Sequence, residues 1–212
     1  MIIDVTKNIW VTSDTHYYHK NLCRGTTDWR TPSGEIPTEN TRDFPTIEKM
    51  NDTIVNNINN CVGQGDILIH AGDWSFSGIE NVFKFYERLI CKNIHIILGN
   101  HDRWIKKNKN DVRSLFLSVN TRIEFYINKT LVVIDHYPLL TWEELKNGSI
   151  MLHGHTHLSN EKKYGKGRTM DIGLDGNLKF SPYNLYEECI VPLLKIPISS
   201  GVYDDHHLND IK

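Results

Sequence analysis

Residues 151–159 read MLHGHTHLS. Three of the eleven histidines in this 212-residue chain stand here at alternate positions, straight after an apolar run. On a β-strand a period of two puts alternate side chains on one face. Neutral imidazole is also the commonest metal-binding side chain. The stretch therefore reads as the end of a strand that delivers metal ligands. If so, other strands should end in matching groups.

They do. Short Ile- and Val-rich runs bounded by polar residues or Gly read as buried strands at residues 8–13 (NIWVTS), 67–71 (ILIHA), 94–98 (IHIIL), 131–134 (LVVI) and 149–152 (SIML). The first ends in Asp14-Thr15-His16 and the second in Gly72-Asp73. The third ends in Gly99-Asn100-His101-Asp102, the fourth in Asp135-His136, and the fifth in Gly154-His155-Thr156-His157. Strands running side by side would gather these groups on one rim, where open α/β sheets place ligands. Asp, Asn and His together suit a borderline to hard divalent ion. The absence of Cys from the set argues against a structural zinc site. There are more groups than one ion needs, and paired ions ~3.5–4 Å apart are a device for phosphate-ester hydrolysis. Asp66 precedes its strand, roughly 20 Å from Asp73 at ~3.3 Å per residue, so it reads as a turn residue at the far end.

Between the strands, residues 46–61 carry Ile47, Met50, Ile54 and Ile58 on one helical stripe. Residues 79–92 carry Ile79, Val82, Phe83, Tyr86, Leu89 and Ile90 on another, and residues 111–116 suggest a further short helix. Residues 122–127 (RIEFYI) alternate and pair with 131–134 through Asn128-Lys129 as a hairpin. The pattern predicts an α/β domain over residues 1–198 and a polar tail over 199–212. Residues 24–45 form a long loop rich in Thr, Gly and Pro, the kind that is functional or disordered in a compact domain.

Composition sets the outer bounds. Hydrophobic residues make up 39% and charged residues 24%, and 24 Lys and Arg against 26 Asp and Glu leave a formal charge of −2. Such a chain has no global field that draws it to nucleic acid or a membrane. No run reaches the ~20 apolar residues of a membrane span, and the run at residues 9–11 is too short for a leader. The expectation is a cytoplasmic protein whose Cys23, Cys61, Cys91 and Cys189 are reduced thiols. The sequence does not fix the oligomeric state.

The ordered set Asp14-x-His16, Gly72-Asp73, Gly99-Asn100-His101-Asp102, His136 and Gly154-His155-x-His157 resembles the calcineurin-like metallophosphoesterase superfamily over about three quarters of the chain. Residues 14–21 (DTHYYHKN) are similar to the opening of small stand-alone bacterial or phage members. The resemblance implies two facing mixed β-sheets flanked by helices. It implies one divalent ion held by Asp14, His16, Asp73 and His157, and a second held by Asp73, Asn100, His136 and His155. The expected metal is Mn²⁺, with Fe, Zn or Ni as alternatives. It further implies a hydroxide, generated between the two ions, that attacks the phosphate ester in line. His101 would contact the phosphate and protonate the leaving group. His153 lies outside the motif and reads as a strand residue; Asp102 reads as orienting its neighbours.

The sequence also departs from the protein Ser/Thr phosphatases of that superfamily, which carry G-D-x-V-D-R-G and G-N-H-E. Phe76 and Ser77 stand where those have Asp and Arg, and Asp102 replaces Glu. With that phosphate-clamping Arg missing, substrate contacts are expected from His19, Lys20 and Arg24, with Arg30 and Arg42 as further cations in the loop. Trp29, Trp74 and Trp104 are weighed as base-stacking or packing residues, and Asp171 and Asp175 as turn residues. The leading expectation is a phosphodiesterase for a small or nucleotide-like substrate. A phosphomonoesterase remains open. So does a nuclease, for which the basic stretch 161–168 would serve as a lip on the nucleic acid. A metal-dead scaffold that binds a protein partner is least supported, because the whole ligand set is intact.

Overall fold

The computed structural model describes residues 7–107, 111–158 and 165–198. Strands β1 (Ile9–Thr12), β2 (Ile67–His70), β3 (Ile94–Ile97) and β4 (Ser118–Asn120) run parallel in the order β4-β3-β2-β1, and β9 (Tyr183–Asn184) adds antiparallel to β1. The second sheet has the order β5-β6-β7-β8. There β5 (Arg122–Ile127) and β6 (Thr130–Asp135) make the expected hairpin, and β7 (Ile150–His153) and β8 (Thr169–Asp171) continue in parallel.

The two sheets face one another, and strand alternation explains how. Ile9, Val11, Ile67, Ile69 and Ile97 meet Ile123, Val132, Ile134, Ile150 and Leu152 in a common core. The opposite side of the first sheet, with Leu68, Ile94 and Ile96, packs on α1 (Ile47–Cys61) and α2 (Ile79–Arg88). Both faces of β1–β3 are thus covered, which is why their sequences read as unbroken apolar runs. Leu131, Val133 and Met151 on the outer side of the second sheet pack on Trp142.

Thr46 caps α1 by accepting from the Lys49 backbone N–H at 3.2 Å, and the stripe Ile47, Met50, Ile54 and Ile58 is buried as expected. The second helix is shorter than its apolar pattern suggests. Asn59 on α1 accepts from the Ile90 backbone N–H at 2.8 Å and donates to the Arg88 carbonyl at 2.9 Å. Those two bonds satisfy the frayed end and turn the chain, leaving Ile90 51% exposed. Residues 111–116 hold only a 3-10 turn, Arg113–Leu115, and a short α3 (Arg103–Lys107) precedes it. Near the C-terminus a π-helical stretch, Leu185–Ile190, runs into α4 (Val191–Leu194). Asp66 accepts from Trp10 Nε1 and from the Gly63 N–H at the end of β2 remote from the ligands. The tail 199–212 and residues 161–164 of the basic stretch 161–168 lie outside the described residues. Within the described residues no helix is long and apolar enough to cross a membrane.

Candidate metal centre

The carboxyl ends of β1, β2, β3, β6 and β7 form one rim. The loops after β1 and β2 are stitched together by backbone bonds: Asp14 N–H to Gly72 O at 2.9 Å and His16 N–H to Asp73 O at 2.9 Å. Gly154 N–H donates to His136 O at 3.0 Å, and His155 N–H donates to Asp14 Oδ2 at 2.8 Å, which brings in β6 and β7. Glycine is needed where these backbones touch. A Cβ on Gly72, whose φ is +97°, would lie 2.6 Å from both Gly99 N and His136 Nδ1. A Cβ on Gly154 would overlap Ser13 and Asp14.

Two groups of side chains result. Asp14, His16 and His157 converge in one, and Asp73, His136 and His155 in the other. Asp73 lies between them: its Oδ2 is 3.5 Å from His16 Nε2 and 3.6 Å from His136 Nε2. Its Oδ1 accepts the His101 backbone N–H at 2.8 Å. Asn100 Oδ1 joins the second group, 2.8 Å from His136 Nε2 and 3.0 Å from His155 Nδ1. All seven residues therefore converge at the rim, in two clusters on either side of Asp73. The strand-period argument for the last motif fails in detail, however. Only His153 lies in β7; His155 and His157 follow it in a turn and have φ of +69° and +47°. Their left-handed backbone, rather than strand alternation, sends one to each group.

The donor chemistry fits cations. Asp14 is fully buried, and its Oδ1 has no hydrogen-bond partner although it lies 3.6 Å from His157 Nε2 and 3.8 Å from His16 Nε2. Burial pushes the Asp14 carboxyl up to about 6 and His16 well below the usual histidine range. A carboxylate held this way without a counter-charge is costly. His136 Nδ1 faces the Ala71 carbonyl at 2.9 Å, so it carries the proton and Nε2 is a free lone pair. His157 Nδ1 lies 2.7 Å from Asp175 Oδ2, which likewise frees its Nε2. Lone pairs converging without donors are what a divalent ion requires.

Asp102 orients this rim. Its buried carboxylate accepts from the backbone N–H groups of Asp73, Trp74 and Gly99 at 2.8, 2.9 and 2.8 Å, fastening the β2 loop to the β3 loop. Burial and the nearby Asp73 raise its pKa, against the pull of those three bonds. The pair Arg42–Asp175 was not foreseen. Arg42 grips both Asp175 oxygens at 2.8 Å and donates to the carbonyls of Asp14 at 2.6 Å and Thr15 at 2.9 Å. Burial alone would raise Asp175, but the charge and bonds of Arg42 and the bond from His157 hold it far below the carboxylate range. His157 is in turn raised: its bond to Asp175 and the nearby Asp14 outweigh desolvation. Asp175 is not a simple turn residue, and Arg42 is buried structure rather than a solvated loop cation.

The expected substrate contacts divide. His19 lines the cavity at the ligands, stacked on Phe76 at 3.9 Å between ring centroids. Burial, with His101 nearby, pushes it down to about 4. Lys20 is exposed and paired with Asp28 at 2.9 Å. Arg24 is tied to the carbonyls of Thr38 and Thr41 and to Asp43. Arg30 Nη1 donates to the carbonyls of Thr27 and Trp29. Lys20, Arg24 and Arg30 do not line the cavity at the ligands, of about 490 Å³, which His101, Asn100, His155 and Trp29 do line. Trp74 is fully buried in the helix-side core. Trp104 packs at the edge of that core, and Arg103, exposed, lies over its ring.

Comparison with known proteins agrees with this geometry. The chain is 28% identical over 195 residues to an uncharacterized protein of Methanocaldococcus jannaschii, covering 89% of this chain and 92% of that one. Its fold is similar to the crystal structure of a protein of unknown function from Aquifex aeolicus, with a TM-score of 0.58 and 17% identity over 85% of this chain and 96% of the other. The family model for the calcineurin-like phosphoesterases matches residues 7–209. With facing mixed sheets, a shared rim and two candidate ligand groups joined through Asp73, the chain belongs to the calcineurin-like phosphoesterase family.

Proposed function

We propose that the protein is a dinuclear-metal phosphodiesterase acting on a small or nucleotide-like substrate. The observation that carries the reading is Asp73 Oδ2, 3.5 and 3.6 Å from histidines of the two ligand groups, as a bridging carboxylate would be. Asp14, His16, Asp73 and His157 would hold one divalent ion, and Asp73, Asn100, His136 and His155 the other. When bound, such a pair supplies an activated water and positive charge for the phosphoryl oxygens. The chain's own residues do the rest. His101 lines the cavity with its backbone anchored on Asp73, which suits it to hydrogen-bond the ester and to pass a ring proton to the departing oxygen. Asp102 holds His101 and Asp73 in register through their shared loops.

The preference for a diester rests on charge. Arg42 is the one Arg or Lys lining the ligand cavity among the described residues, and its donors are committed to Asp175, Asp14 and Thr15. A dianionic monoester would find no bidentate partner there. The nuclease reading has one supporting observation: exposed Arg103 borders a smaller hollow beyond His101, with Ser75, Phe76 and Ser77, where a further phosphate would lie.

The test is hydrolysis of bis-p-nitrophenyl phosphate beside p-nitrophenyl phosphate with Mn²⁺, Fe²⁺, Ni²⁺ or Zn²⁺ supplied. The diester should be cleaved faster, only with metal, and not by Asp73→Asn. A preference for the monoester would overturn the diester assignment. Absence of metal-dependent hydrolysis of either ester would overturn the enzyme reading.

A further inference from the structure

The ligand cavity adjoins a second and larger one. Residues 29–40 of the loop between Cys23 and Arg42 line an open hollow of about 870 Å³, within the size range of small-molecule sites. Trp29, Glu39 and Asn40 line both spaces, so a group that enters the loop cavity reaches the metal centre past them.

The loop is held by bonds within itself. Thr31 N–H donates to Glu35 O at 2.8 Å, Gly34 N–H to Thr31 O at 2.8 Å, and Thr41 Oγ1 to Pro37 O at 2.8 Å. Arg24 and Arg30 are spent on its carbonyls, as described above. These bonds give the segment the character of a self-packed Ω-loop.

Its chemistry is selective. Trp29 is 38% exposed at the junction, yet its surroundings fix it. Its backbone N–H donates to Thr27 Oγ1 at 3.1 Å, and its ring meets His19 edge-on at 5.9 Å. His19 stacks on Phe76, and Phe76 lies 5.1 Å from His101. An aromatic series therefore runs from the reacting end to the loop. Around it stand Glu35 and Glu39 with Arg30, whose Nη1 is already bonded. Two carboxylates against one guanidinium disfavour a second phosphate or a carboxylate there. A flat neutral ring with N–H donors would stack on Trp29 and donate to the carboxylates. A good aromatic stack on a base strengthens binding about tenfold or more.

We propose that the loop cavity is a nucleoside subsite. The base stacks on Trp29 and its N–H groups donate to Glu39 or Glu35, which places a 5′-linked phosphodiester at the ligands. This extends the phosphodiesterase reading and rests on it for the chemistry, but the subsite itself can be measured without turnover.

The first experiment is calorimetric titration of the full chain carrying Asp73→Asn with guanosine, an uncharged probe whose base offers adjacent N–H donors. Saturable binding is expected. Trp29→Ala in the same background should weaken it at least tenfold, and Trp29→Phe should restore most of the loss. No binding, or equal binding by the Ala variant, would overturn the proposal. The second experiment compares guanosine 5′-(p-nitrophenyl phosphate) with ethyl p-nitrophenyl phosphate using the metal-loaded wild type. The nucleoside ester should have the higher kcat/KM by at least tenfold, and Trp29→Ala should bring the ratio near one. Equal kcat/KM for the two esters in the wild type would overturn the subsite. Guanosine binding that depends on Trp29, with neither ester hydrolysed, would uphold the subsite and sink the phosphodiesterase reading alone.

Discussion

Replacing Arg42 with Met removes one guanidinium and the bonds it makes to two separate segments, the loop after β1 and the one that holds Asp175. Nε and Nη2 hold the Asp175 oxygens at 2.8 Å each, Nη2 reaches Asp14 O at 2.6 Å, and Nη1 reaches Thr15 O at 2.9 Å. The Arg42 side chain is 5% exposed and that of Asp175 20%. Breaking a buried pair from one side costs ~3–5 kcal/mol because the other charge is left behind. Asp175 keeps its bond from His157 and some water contact, which sets the expectation for Arg42→Met at about 3 kcal/mol. Asp175→Asn leaves the guanidinium its carbonyl bonds, so about 2 kcal/mol is expected. The double variant has no stranded charge and should lose about 3 kcal/mol, giving a coupling near 2 kcal/mol. Urea unfolding in chelator reads all three, with the midpoint shifting at constant slope. Single losses that add to within ~0.5 kcal/mol would refute the pairing. The same Asp175→Asn protein should bind the ion at His157 about 10- to 100-fold more weakly, since the orienting carboxylate sets which imidazole nitrogen is bare. Unchanged affinity at both sites in a metal titration would refute that link.

Three further outcomes are expected. His70 is fully buried, with Nε2 2.9 Å from Thr15 Oγ1 and Nδ1 accepting the Gly72 N–H at 3.2 Å, and burial pushes it down to about 3. Its folded pKa lies below the unfolded ~6.5, so its contribution is complete above that pH and is lost as pH falls. That amounts to about 2 kcal/mol by pH 5; the urea midpoint should drop over this window, and less steeply for His70→Gln. Adding Mn²⁺ at 100 times its Kd should stabilise the protein by ~2.7 kcal/mol, seen as a rise in Tm that Asp73→Asn abolishes; no shift with any divalent ion would contradict the reading of the ligand groups. Asp102→Asn turns an amide N–H₂ or a weaker acceptor towards three backbone N–H groups, so a loss of about 3 kcal/mol is expected; a loss under ~1 kcal/mol in the same unfolding assay would show that the three bonds matter little.

The rim was legible because of two properties that sequence shows directly. Strands covered on both faces must be apolar throughout, so β1, β2 and β3 stood out. The candidate ligands follow within a few residues of each strand end, so topology alone brings them together. The orienting pair was not legible. Arg42 and Asp175 are 133 residues apart, and an Arg in a Thr- and Pro-rich loop looks solvated. The one available sign was an Asp 18 residues after His157 in a segment too short to read as structure. Strands β8 and β9 span three and two residues, below any periodic signal. For the same reason the fates of Lys20, Arg24 and Arg30 were hidden: whether a loop cation meets solvent, substrate or its own carbonyls depends on the closed shape of the loop.

Five of the candidate ligand residues sit at positive φ: Asp14 at 55°, His16 at 48°, Asp73 at 58°, His155 at 69° and His157 at 47°. Each left-handed non-glycine residue costs something, ~1–3 kcal/mol at a strained site and less for Asp. Added to this are buried Asp14, Asp73 and Asp102. What fixes these conformations is the mesh of loop bonds: Asp102 on three N–H groups, Arg42 on two carbonyls, and the Asp14 and His16 N–H groups on the β2 loop. The mesh leaves buried Asp14 Oδ1, between His16 and His157, without a hydrogen-bond partner. A fold that strains its backbone to leave lone pairs converging is stabilised by whatever positive charge enters between them. Ion binding and local stability should therefore be coupled at these loops far more than in the sandwich core beneath them.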